Sequence, residues 1–191
     1  MKVAILEMCR RPEVLKENTE AKILATCFQQ RCIDFDLYSN DDFWADRPKA
    51  GAIVDRDVIA ATLIDPEIDV VHFAVHGGPT GLVLKWSGPV WQREVPDTLA
   101  GAEIRQMCIS HDKLVVSGAC KSSNLANDFI SAGAKAYVSP KEEIPRVHLG
   151  LMFKIFYSAL QSGATIEGAL AQAVANHKEL ESYEAYSSFG D

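Results

Sequence analysis

The chain is expected to fold as an α/β domain, with a mostly parallel sheet and helices on both faces. Short apolar runs alternate with helical segments along most of its length, the signature of repeated β–α–β units. Two of those runs end in small-residue turns that carry a histidine and a cysteine, His76-Gly77 and Gly118-Ala119-Cys120. Open α/β sheets present their reactive groups at such strand ends. The 191 residues, 48% of them hydrophobic, suit a single domain spanning 1–191 with a substantial core.

In chain order, Val3 to Leu6 predicts a first strand, followed by a helix around Thr19 to Arg31 and a strand from Ile33 to Tyr38. Asn40 to Gly51, with Asp41, Asp42, Asp46 and Pro48, reads as an exposed loop. A helix is predicted from Arg56 to Ile64, then a strand from Val70 that ends at His76, a helix around Leu99 to Ile109 and a strand from Leu114 to Ser117. Beyond the cysteine, Leu125 to Ala132 reads as a helix stopped by Gly133, and Ala136 to Ser139 as a strand that Pro140 ends. One stretch departs from the alternation. Leu82 to Trp86 and Pro89 to Gln92 are β-prone runs around Ser87-Gly88, which predicts a β-hairpin after the histidine strand.

The last quarter is helical. Leu149, Phe153, Phe156, Tyr157 and Leu160 share one apolar face, and Ile166, Leu170, Ala173, Val174 and His177 share another. Ser162-Gly163 ends the first helix and Thr165 caps the second. Tyr183 to Asp191 loses the periodicity and is expected to fray.

A net charge of −7 with no basic run argues against nucleic acid or an anionic membrane as a partner. The opening Met1 to Met8 is too short and too soon charged for a secretory signal, and no apolar stretch approaches the ~18 residues of a membrane span. The expected location is cytoplasmic. The cysteines Cys9, Cys27, Cys32, Cys108 and Cys120 form no CxxC pair, so neither a disulfide framework nor a zinc knuckle is indicated. No cofactor and no metal are called for.

Cys120 ends a strand and precedes a predicted helix, whose amide N–H groups would favour a thiolate and an oxyanion. Burial as a small hydrophobe is the alternative fate. His76 precedes Gly77-Gly78-Pro79, a turn in which backbone amides can approach a substrate closely. His72 lies on the same strand face and reads as core or as support for the site.

These residues carry a resemblance. The chain resembles caspase-like cysteine peptidases of the CHAT type, related to separases, gingipains and caspases. The matching segments are Val71 to Gly77, Gly81 to Leu84, Leu114 to Cys120, Leu125 to Phe129 and Ala132 to Val138. Phe156 to Leu160, Gly163 and Ala169-Leu170 resemble the family's two closing helices, and the whole match runs from about Asp69 to Ala175. The resemblance implies a three-layer αβα caspase-like fold and peptide-bond hydrolysis through a thioester. Cys120 would be the nucleophile and His76 its acid/base partner, with the backbone amides of Gly77 and Cys120 as the oxyanion hole. It also implies a protein or peptide substrate and a regulatory protein in trans.

Metacaspases carry an aspartate two residues before the cysteine, where this chain has Gly118, so a basic specificity pocket does not carry over with the family. Glu142 and Glu143 stand where CHAT proteins shape the substrate pocket, and a solvated acidic loop explains them equally. Lys121 either lowers the thiol pKa or points outward. Trp86 and Trp91 are candidates for a substrate wall or for hairpin packing. Other readings remain: a silent caspase-like binding module, or an enzyme like DJ-1 or the glutamine amidotransferases, in which His148 or His177 would partner Cys120. A nucleotide-binding loop at Gly118 to Ser123 lacks the phosphate-loop spacing.

Overall fold

The computed structural model describes residues 1–8, 20–39, 54–78, 80–85, 97–177 and 180–187. Its centre is a six-stranded sheet of β1 (Lys2–Glu7), β2 (Asp34–Ser39), β3 (Val70–Ala74), β7 (Leu114–Ser117), β8 (Ala136–Pro140) and β9 (Tyr183–Ser187), in the order β2-β1-β3-β7-β8-β9. All pairings are parallel except that of β9 with β8. Val3, Ala4, Ile5 and Leu6 have no exposed surface, which is why β1 reads as an unbroken apolar run rather than an alternating one.

A smaller sheet lies beside it: β4 (His76–Gly78), β5 (Gly81–Lys85) and β6 (Asp97–Ala100), all antiparallel. Six helices complete the described chain, α1 (Glu20–Arg31), α2 (Arg56–Ile64), α3 (Gly101–Ile104), α4 (Ala126–Ser131), α5 (Arg146–Gln161) and α6 (Ile166–Ala175), with a 3-10 turn at Ser122–Leu125. They make two layers. On one face, Leu24 and Phe28 of α1, Phe153, Phe156 and Tyr157 of α5 and Ala169 and Ala173 of α6 pack on Val3, Ile5, Val116 and Val138. On the other, Ile59 and Leu63 of α2, Leu82, Leu99 and Phe129 pack on Ala4, Leu6, Phe73 and Val115. The strand alternation therefore sends consecutive residues to different layers.

Several expectations hold at the level of single contacts. Thr165 accepts the Gly168 amide at 3.1 Å and caps α6. Gly133 and Gly163 end their helices at φ 116° and 88°, a region that glycine enters without strain.

Others are corrected. The expected helix around Leu99 to Ile109 is strand up to Ala100 and helical only over Gly101–Ile104, because Leu99 pairs with Leu82 while Glu103 accepts the Ala100 amide at 3.0 Å and starts a short helix there. A β-hairpin does follow the histidine strand, formed by β4 and β5, and β6 adds a third strand on the other side of β5. The expected second arm, Pro89 to Gln92, lies outside the described residues, as do Trp86, Trp91, Cys9 and the predicted loop from Asn40 to Gly51. The tail does not fray over Tyr183–Ser187, which pairs with β8 from Pro140 back to Ala136. The Tyr183 ring is buried edge-on to Phe153. Residues 188–191 lie outside the described chain.

Candidate active site

β3 and β7 run parallel, with Phe73 opposite Ser117, so their carboxyl ends deliver the chain to one edge of the sheet. The Gly118 amide extends that pairing by donating to the Phe73 carbonyl at 2.9 Å. Leu114 and Val116 face the layer of α1 and α5, Ala119 faces the other, and Cys120 returns to the first. On β3, Ala74 faces the first layer and Val75 the second. His76 opens β4 two residues past Ala74, and both it and Cys120 are half-buried.

The strand ends touch through backbone. A Cβ on Gly77 would overlap the Cys120 carbonyl oxygen and stand 2.9 Å from its amide nitrogen. Only glycine permits this approach, and it is what brings the His76 turn against the Cys120 turn.

The Cys120 turn is fastened on several sides. The Ala119 amide donates to Ser117 Oγ at 3.2 Å, and the Ser122 hydroxyl lies 2.9 Å from that oxygen and 2.7 Å from the Ala119 carbonyl. Tyr183 donates its hydroxyl to the Ser117 carbonyl at 3.3 Å, and Tyr137 donates to the Ser122 carbonyl at 3.1 Å. Burial, the largest influence on each, pushes the Tyr137 hydroxyl up to about 12 and the Tyr183 hydroxyl well above its ordinary value, so both remain donors. Lys121 adopts the left-handed region at φ 55°, a conformation that turns the chain away directly after the cysteine.

The segment after β8 lies over this turn. The Lys121 amide donates to the Glu142 carbonyl at 3.1 Å, Lys121 Nζ pairs with Glu143 Oε1 at 2.8 Å, and Cys120 Sγ approaches the Ile144 carbonyl at 3.9 Å. The Lys121 ammonium is thus engaged, and its hydrogen bond with Glu143 holds the carboxyl below the usual range. Glu142 and Glu143 are both exposed. The helix expected from Leu125 is present as the short α4, and a 3-10 turn at Ser122–Leu125 stands between it and Cys120, so the backbone directly after the sulfur is irregular.

His72 is fully buried and bonded at both ring nitrogens, to Glu20 Oε1 at 2.8 Å and to the Tyr157 hydroxyl at 2.9 Å. It therefore supports the interior, as its place on the strand predicted. Glu20 was not legible as a site residue. Its partner stands 52 positions away, and a glutamate at a helix start ordinarily reads as a favourable charge on the helix dipole. His148, in the first turn of α5, and His177, two residues past α6, are the alternative partners for Cys120, and their rings lie 6.0 Å apart. Among the described residues no group of three or more His, Cys, Asp or Glu gathers to hold a metal ion, and no helix is long and apolar enough to cross a membrane.

The family profile of the CHAT domain matches residues 7–187. The chain belongs to the CHAT-domain family. No curated protein matches it. Among solved structures it is similar to the Arg-specific cysteine proteinase gingipain R, with TM-score 0.61 and 11% identity over 97% of this chain. The likeness spans 46% of the gingipain R chain, so what this CHAT domain shares with it is the caspase-like fold.

Proposed function

We propose that this CHAT domain is a cysteine endopeptidase in which Cys120 is the nucleophile and His76 its acid/base partner. The observation that carries the reading is the close backbone approach of Gly77, the residue after His76, to Cys120. Cys120 sulfur attacks the scissile carbonyl carbon, and its proton passes to the His76 ring. The tetrahedral oxyanion is held by the Gly77 and Cys120 amides, each donor contributing ~3 kcal/mol in sites of this type. Collapse breaks the C–N bond, His76 returns the proton to the departing amine, and water then hydrolyses the thioester by the same route.

The 142–144 segment is the lever for control by a partner protein. Cys120 Sγ lies 3.9 Å from the Ile144 carbonyl, so movement of this segment changes the surroundings of the sulfur. A binding protein that draws the segment away would raise the active fraction of the enzyme.

The test is labelling by a peptide acyloxymethyl ketone followed by mass spectrometry. Cys120 should carry the label, His76→Ala should abolish it, and changes at His148 or His177 should leave it in place. Labelling that depends on His148 or His177 would instead favour the amidotransferase-like arrangement.

A further inference from the structure

The face of the sheet that carries Cys120 also holds a carboxylate oxygen with nothing to bind. Glu20 is the first residue of α1 and its side chain is 4% exposed. Oε1 accepts from His72 Nε2, whereas Oε2 is buried and has no hydrogen-bond partner among the described residues. The Tyr157 hydroxyl lies 2.9 Å from His72 Nδ1, so both ring nitrogens are engaged and the ring is held with Nε2 towards Oε1. A carboxylate accepts several hydrogen bonds and carries a full charge, so a single bond leaves it short of partners.

Its position relative to the cysteine gives that oxygen a direction. A Cβ on Gly118 would overlap Oε1 and lie 2.5 Å from Oε2, so the carboxylate as a whole fills the space that a side chain two residues before Cys120 would take. Gly118 and Cys120 fall on the same side of the chain, as Leu114 and Val116 do. Two residues separate their Cα atoms by roughly 7 Å at most. A peptide whose carbonyl sits at the sulfur therefore has the side chain of that residue rooted within one long side chain of Oε2.

We propose that Glu20 Oε2 receives the ammonium or guanidinium of the substrate residue whose carbonyl Cys120 attacks, making the CHAT domain selective for Lys or Arg there. The inference rests on the proposed peptidase reading and names its substrate class. It replaces Glu142 and Glu143 as the determinants of the pocket, because both are exposed and Glu143 is taken up by Lys121. Because Oε2 is buried, the proposal requires the chain around it to give way when a peptide binds.

The test uses two acyloxymethyl ketones on the whole chain, identical except for lysine or norleucine next to the reactive group. Cys120 labelling should be roughly tenfold or more faster with lysine, the size of one charge-assisted hydrogen bond, and Glu20→Gln should bring the ratio of the two rates close to one. Because that substitution touches a buried network, a second measurement uses the unaltered protein: butylguanidine should slow labelling by the norleucine ketone, and butylurea at the same concentration should not. Equal rates for the two ketones, or a lysine preference that survives Glu20→Gln, would overturn the assignment to Glu20 while the peptidase reading stands. If neither ketone labels Cys120, the peptidase reading falls and this inference with it.

Discussion

Gly77 sets how closely the His76 and Cys120 turns can approach. Its hydrogen faces the Cys120 backbone where a methyl group has no room, whereas a Cβ on Gly78 would find only the Gly81 carbonyl, at 3.9 Å. Gly77→Ala should therefore lower unfolding free energy by about 1–3 kcal/mol, the usual cost of overpacking. Gly78→Ala should stay within about 1 kcal/mol. Urea unfolding of both variants checks the contrast, and labelling of Cys120 should fall in the first. At this scale the sequence made Cys120, His76 and Gly77 visible, because a small-residue turn after an apolar run is a local signal. Glu20 was invisible for the opposite reason: its role comes from His72 and Gly118, residues brought to it only by the fold.

The three-stranded sheet is the element that carries His76, and Arg56 fastens it to α2. Its guanidinium pairs with Asp97 at 3.0 Å and Glu103 at 2.6 Å and donates to the Thr98 carbonyl at 3.1 Å. The side chains are partly exposed, so solvent screens the cluster and Arg56→Met should cost about 1 kcal/mol, less in high salt. The Arg56 hydrogen bond, and after it the Ala100 amide, hold the Glu103 carboxyl below its ordinary 4.5. That contribution to stability is complete above pH 4.5 and is lost as pH falls through the lower folded-state value. Thermal melts of wild type and Glu103→Gln should accordingly differ at neutral pH and converge below pH 4.5; a difference that persists in acid would contradict the assignment. Elements whose signal is long were legible, as α2, α5 and α6 were. Short strands with one buried side were not. In β9 only Tyr183 is fully buried and Glu184 is tied to Lys141 at 2.5 Å, so the segment reads as a polar tail until β8 is beside it.

At the scale of the whole molecule, two apolar layers hold the parallel sheet rigid, and the site stands at the edge where β3 and β7 leave it. Residues 142–144 touch Cys120 and Lys121 at that edge. Glu143→Gln loosens that hold and should raise the alkylation rate of Cys120 by no more than a few fold, since the pair is exposed and screened. A partner that moves the whole segment should do more. Purified protein is then expected to cleave peptides slowly and to accelerate when the partner is added, whereas full activity in the protein alone would place control elsewhere. The caspase-like architecture was legible because the alternation of strands and helices, and the ordered motifs upon it, extend through most of the chain. The closed 142–144 segment was not, because it depends on three consecutive residues meeting two others across the sheet edge.

The central claim is that the fold makes Cys120 a nucleophile, and competition among the cysteines for iodoacetamide tests it most directly. Cys32 and Cys108 are exposed and Cys120 is half-buried, so exposure alone ranks Cys120 behind them. If His76 withdraws the thiol proton, site-resolved mass spectrometry at neutral pH should find Cys120 alkylated before either, and His76→Ala should drop it behind both. Preferential alkylation of Cys32 or Cys108 in the wild type, or a Cys120 rate indifferent to His76→Ala, would contradict the account.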